Sequence, residues 1–172
     1  MRLRRSLLAA ALALAAAACA TVPRLTAASD IHAFLVAVRD GDRAGFDAHV
    51  DRAALKTQLR ARLLGETARA HGTGSWATLG AALVGPLVDV GVQSLVQPEV
   101  FQAEAVRLGY GPDQPIPSTL ALAAFVRPLG DGRVCVTTVH GGPCVFDFDD
   151  QGGTWRLTGY EGPLRLPPPA RG

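Results

Sequence analysis

Apolar residues fall at intervals of three and four along much of the chain, then at every second position beyond residue 118. The first spacing lines one face of a helix and the second lines one face of a strand. Ile31, Phe34, Leu35 and Val38 form the first helical stripe, with Ser29-Asp30 as its predicted N-cap and Gly41 as its end. Asp42 can cap a short segment holding Phe46 and Val50. Asp51 can cap a longer one whose stripe is Leu55, Leu59 and Leu63. Arg52, Lys56, Arg60 and Arg62 fall largely on the outer side of that helix, and read as a solvated face rather than an anion site.

Gly72-Thr73-Gly74 interrupts the pattern, and Trp76 to Val96 follows as a long apolar segment. Pro86, Asp89 and Gln93 argue against a transmembrane span, because an ionised carboxylate at mid-bilayer is costly. Trp76, Leu79, Leu83, Leu87 and Val90 instead predict a core helix bent near Gly85-Pro86. Pro98-Glu99 opens a last helix through Val100, Phe101, Ala105 and Leu108, closed by Gly109.

After a Gly/Pro loop from Tyr110 to Pro117, the alternating pattern predicts strands over Thr119–Arg127, Arg133–Val139, Cys144–Asp149 and Thr154–Tyr160. Gly130-Asp131-Gly132 and Asp150-Gln151-Gly152-Gly153 supply the turns, and links this short force neighbouring strands to run antiparallel. Helices first and an antiparallel four-stranded meander last give an α+β domain. Val126, Phe146, Phe148, Trp155 and Leu157 are the side chains expected to pack the sheet on the helices. The order of elements resembles the cone-shaped roll of the nuclear-transport-factor-2-like (cystatin-like) superfamily, an analogy of fold that carries no activity with it.

Composition adds an address. Apolar residues make up 48% of the 172 and charged residues 19%, which suits a folded domain rather than a disordered chain. The net charge of +2 is more than accounted for by Arg2, Arg4 and Arg5, so the remainder is close to neutral. A nucleic-acid partner would need a clustered basic face and is not expected. Those three arginines precede an unbroken apolar or small run from Ser6 to Ala18, too short for a bilayer core of about 20 residues and shaped like a secretory signal.

The run ends in Ala16-Ala17-Ala18-Cys19, which resembles a bacterial lipoprotein box, with Ala16 where most have Leu. The resemblance implies a diacylglyceryl group on the Cys19 thiol, cleavage before it, and a membrane anchor of acyl chains. By resemblance to Gram-negative lipoproteins, Ala20 after the cysteine, with no Asp, implies outer-membrane sorting facing the periplasm rather than inner-membrane retention. Ordinary cleavage after Ala20 would instead release a soluble periplasmic domain. The expected organisation is therefore a signal peptide over 1–18, a lipidated cysteine and tether over 19–28, a single domain over 29–162, and a Pro-rich tail over 163–172.

Cys135 and Cys144 remain, and two cysteines this close in an exported chain suggest one disulfide. Alternation sets a condition on it. Cys144 falls with Phe146 and Phe148 on the inward face, so Cys135 would have to displace Val134 and Val136 from theirs. A zinc site is not expected, since it calls for four ligands and no further cysteine is near.

Little else carries chemistry. His140-Gly141-Gly142 lacks any Gly-x-Ser-x-Gly partner and reads as a hairpin loop. Asp147-Phe148-Asp149-Asp150-Gln151-Gly152 echoes a calcium loop but has Thr158 where a bidentate Glu is needed. Gly72-Thr73-Gly74-Ser75 lacks the lysine of a phosphate loop, and the histidines show no metal-binding pair. No cofactor and no metal are expected. Asp89, among apolar neighbours, and Trp155 are candidate pocket residues, with a structural ion pair as the plainer role for Asp89.

Val50-Asp51-Arg52-Ala53-Ala54-Leu55-Lys56-Thr57-Gln58-Leu59 resembles the bacterial domain of unknown function 2939 family. So do Arg39-Asp40-Gly41-Asp42 before it, and Leu79 to Asp89 and Gln97-Pro98-Glu99 after it. The resemblance covers most of residues 30 to 160, rests on packing motifs, and implies an export or membrane segment ahead of the domain. Arg52 stands where Phe commonly follows the Val-Asp pair, and the family offers no catalytic residues to carry over. These readings favour a non-catalytic envelope lipoprotein that binds a partner protein or an apolar ligand. The alternatives are a small enzyme with a cone-shaped pocket using Asp89 or His49 as acid-base groups, and a structural spacer.

Overall fold

The computed structural model describes residues 22–71, 90, 92–107 and 110–162. Helix α1 is already formed at residue 22 and runs to residue 40. Its end is set by Gly41 at φ +67°, a left-handed conformation that costs glycine nothing. The N–H groups of Gly41 and Asp42 donate to the carbonyls of Val38 and Ala37, at 3.4 and 2.9 Å, which satisfies the last turn in a Schellman motif.

Asp42 then caps α2 (Arg43–Ala48), its carboxylate accepting from the Ala44 N–H at 3.0 Å. Asp51 caps α3 (Arg52–His71), accepting from the N–H groups of Ala53 and Ala54 at 3.1 and 2.9 Å. Both caps are the ones the sequence predicts. The stripe of α3 is as expected too, with Leu55 and Leu59 buried and Leu63 packed beside them. Residues 90 and 92–95 are helical and belong to α4, in which Val92 is buried, and Val96 is buried just beyond it. Pro98 opens α5 (Pro98–Arg107), where its missing N–H is no loss.

Four phenylalanines join these helices to the sheet. Phe34 of α1 lies 5.8 Å from Phe46 of α2, 6.0 Å from Phe101 of α5 and 6.1 Å from Phe148, ring centre to ring centre. The Phe101 and Phe148 rings meet Phe34 edge to face and Phe46 lies tilted against it, and such contacts add to the gain from burial.

The sheet order is β1-β2-β3-β4, every neighbour antiparallel: β1 (Val126–Gly130), β2 (Arg133–Thr137), β3 (Cys144–Asp150) and β4 (Trp155–Tyr160). Val126, Phe148, Trp155 and Leu157 are buried on the helix side and Phe146 is packed against them, as anticipated, and Val134 joins them. Gly130, Asp131 and Gly132 all have positive φ, at 89°, 53° and 69°, which lets the β1–β2 turn close. Segment 49–51 adds to the free side of β4 in parallel: the Asp51 N–H donates to Leu157, and the Leu157 N–H donates to His49.

Three expectations are corrected. The helix does not begin at Ser29-Asp30 but passes through it. Residues 22–28, read as tether, are turns of α1 with Ala27 and Ala28 wholly buried. Asp30 serves instead as acceptor for the Trp155 backbone N–H at 2.8 Å, and Thr26 accepts from the Trp155 indole N–H at 3.2 Å. The expected first strand, Thr119–Arg127, is divided. Ser118 caps a short helix α6 (Thr119–Ala123), and pairing starts only at Val126, opposite Val136. Leu and Ala in Thr119–Ala123 favour helix, and a turn there buries Leu122 and Ala123 together.

The third correction concerns the basic run on α3. Arg52 donates to the Asp47 carboxylate and the Val96 carbonyl and lies 5.4 Å from the Phe46 ring centre. Arg62 donates to the carbonyls of Tyr160 and Gly162. Both guanidinium groups tie elements together rather than facing water.

Of the long apolar segment, Trp76, Leu79, Leu83, Leu87 and Asp89 lie outside the described residues, as do the segments 1–18 and 163–172; Val90 is exposed. No described helix is long and apolar enough to cross a membrane.

Candidate functional site

The sheet has a second face, turned from the helices, and its chemistry is set by a slip in pairing. Arg133, Cys135 and Thr137 alternate onto this face of β2, and Cys135 sits opposite Asp147 of β3. Between Val136 and Thr137 the register shifts, so that Thr137 pairs with Cys144 rather than Val145. A bulge of one residue reverses which way the strand end faces. Cys144 therefore leaves the side of Phe146 and Phe148 and comes round to that of Cys135.

The disulfide Cys135–Cys144 forms there, with Cα atoms 5.5 Å apart. The condition inferred from strict alternation is thus overturned. Cys135 does not take the inward face, Val134 keeps it wholly buried, and the bridge lies on the other side. No regular period carries a bulge, which is why sequence spacing put Cys144 on the wrong face.

Around the bridge the groups are polar. The Arg127 guanidinium lies 2.7 Å from the Cys144 sulfur. The two sulfurs and a carboxylate oxygen of Asp147 lie within 4.8 Å of one another. With the sulfurs bonded to each other, Asp147 alone of the three has a ligand atom to offer, well short of the four that zinc takes. Asp147 also faces a depression of about 280 Å³ lined by Gln58, Leu129, Arg133, Asp149 and Thr158. Burial raises its pKa above the usual carboxylate range, and the negative charges of Glu161 and Asp149 raise it further, against the pull of Arg133.

A larger groove, of about 500 Å³, lies at the start of α1. Val22, Pro23, Pro128 and Trp155 give it an apolar floor, and Asp131, Arg133 and Asp150 stand at its rim. Trp155, a predicted pocket residue, is 4% exposed, so it forms this floor chiefly by supporting it. Its partner in that prediction, Asp89, lies outside the described residues, as does Cys19.

His49 is held by the parallel bridge to β4, its carbonyl accepting from the Leu157 N–H at 2.9 Å. Its Nδ1 is buried and has no hydrogen-bond partner among the described residues. His140 sits exposed in the β2–β3 loop, where the Gly142 N–H donates to the Val139 carbonyl at 2.9 Å, as a hairpin loop requires.

Thr26, Gln58 and Arg127 shape these sites with no role predicted for them in the sequence, and Asp30 was predicted only as a helix cap. Each is a polar residue whose partner lies far along the chain, and no local pattern marks such a pairing.

A family model described as a protein of unknown function (DUF2939) matches residues 12–103, and the chain belongs to that family. The match takes in α1 to α4 and the start of α5 and stops short of α6 and the sheet, a narrower span than the resemblance over residues 30 to 160 implied. No curated protein and no solved structure matches the chain.

Proposed function

We propose, for this member of a family without an assigned activity, an exported lipoprotein of the cell envelope. Cys19 carries the acyl chains, and the domain is a non-catalytic module that binds a partner protein or an apolar ligand on the periplasmic side of the outer membrane. One observation carries the reading: a chain that opens with a basic, then apolar, leader ending in Cys19 also holds a cysteine bridge between Cys135 and Cys144. Bridges of this kind persist in oxidising compartments outside the cytosol, the destination to which such a leader sends a chain.

The apolar floor of the larger groove supports a binding role, since ligand sites are mostly apolar with a few polar groups at fixed places. Each buried methylene of an acyl chain is worth about 0.8 kcal/mol, so several chains hold a small domain on a membrane. The test is the intact mass of the mature protein extracted from membranes, before and after reduction. The expected mass begins at Cys19, includes acyl chains, and gains a pair of hydrogens on reduction. A mass that begins at Thr21 without lipid would make this a soluble exported domain and remove the membrane from the reading.

A further inference from the structure

Only Ala20 and Thr21 separate Cys19 from Val22, where α1 is already formed. Consecutive Cα atoms stand 3.8 Å apart, so whatever path the chain takes, these steps reach at most about 11 Å. An acyl anchor on Cys19 therefore keeps the start of α1 within about 11 Å of the anchored residue, close to the headgroup layer.

At that end the exposed side of α1 is apolar where water would favour polar groups, beside the charged Asp131, Arg133 and Asp150 of the neighbouring turns. Val22 is 63% exposed and Leu25, three residues on and on the same side of the helix, is 41% exposed. Arg24 is exposed between them in sequence, and an arginine can keep its stem in an apolar layer while its head meets phosphate. The groove that contains Val22 also contains Gly130 to Gly132 and Gly153, so the β1–β2 and β3–β4 turns share this end. Antiparallel pairing then sends the β2–β3 loop, with Val139 exposed on it, to the other end.

We infer that the domain is seated directly on the bilayer, with Val22 and Leu25 in the headgroup layer and the disulfide-stapled β2–β3 loop pointing away. The occupant of this apolar end is the phospholipid surface that holds the anchor. The inference rests on the acylation of Cys19 proposed above. It makes the β2–β3 end the one a protein partner can reach, and it opens the groove beside Val22 toward lipid.

The test uses the full-length protein in its own membranes, with a photoreactive benzophenone amino acid in place of Leu25, Val22 or Val139. Irradiation is expected to add the mass of a phospholipid at Leu25 and at Val22, and none at Val139. Intact mass of the same samples reads the anchor. Acylated protein with no lipid adduct at either helix position, or with equal adducts at Val139, overturns the seating and leaves the lipoprotein reading intact. Mature protein without acyl chains overturns both.

Discussion

Asp51 and Asp147 are the same residue in opposite circumstances. Asp51 accepts from the Ala54 N–H and the Gln151 amide, and these bonds lower its pKa below the usual carboxylate value. Asp147 is half-buried beside other carboxylates, and its pKa is raised. The stability linked to Asp51 is present above the ordinary carboxylate pKa and is lost as pH falls through its lower folded value. For Asp147 the folded state holds the proton more tightly than the unfolded one. Stability therefore falls as pH rises from the ordinary value through the raised one, and the penalty is complete above it. Asp147→Asn is expected to raise the urea midpoint at neutral pH and to lose that advantage in acid, below the ordinary carboxylate value. Asp51→Ala is expected to cost about 1 kcal/mol at neutral pH, the usual price of a lost cap, and less in acid. Urea titrations from pH 3 to 8 (roughly the window spanned by free carboxylates and neutral water) read both signs, and a gain for Asp147→Asn that persists unchanged in acid would refute the burial account.

At the scale of elements, the sheet has two edges that need protection from pairing with another chain. β1 carries Pro128, which has no N–H to offer an incoming strand. β4 is paired at Leu157 by segment 49–51 and covered at its end by α3 through side chains. The Gln58 amide accepts from the Tyr160 N–H at 3.3 Å and donates to the Tyr160 carbonyl at 3.1 Å, standing in for the next strand, and Arg62 donates to the same carbonyl. Gln58→Ala is expected to cost about 2 kcal/mol, from two exchanged hydrogen bonds of about 1 kcal/mol each. It also bares the end of β4, so sedimentation should show association that rises with concentration, most strongly when Arg62→Ala is added. A monomer unchanged by both substitutions would mean the edge is guarded by something else. The helices α2 and α3 were legible because their caps and stripes are local: Asp42, Asp51, Leu55 and Leu59 act within a few residues of their partners. Gln58 was not, because its partner is more than a hundred residues away in the chain.

For the molecule as a whole, the disulfide links residues nine apart, and closing a loop of that length removes about 2.7 kcal/mol of unfolded-chain entropy at room temperature. Cys135→Ala with Cys144→Ala is expected to destabilise the fold by about 2–3 kcal/mol. A smaller loss, matched by an equal loss on simple reduction, would place the strength of the hairpin in the bulged pairing itself. The α+β order, the meander, the caps at Asp42 and Asp51 and the end of α1 at Gly41 could all be read along the chain, since propensity, periodicity and turn chemistry are properties of neighbours. The family resemblance was legible for the same reason, being carried by contiguous runs. That α1 extends ahead of Ser29, which face carries the cysteine bridge, and why Asp30 and Thr26 matter were decided only in three dimensions. Burial of Ala27 and Ala28 outweighed a good cap at Ser29-Asp30, Trp155 required acceptors for both of its N–H groups, and a bulge of one residue turned Cys144 to the far side of the sheet. Those outcomes are settled by contacts between distant segments, and a linear pattern holds no record of which segments will meet.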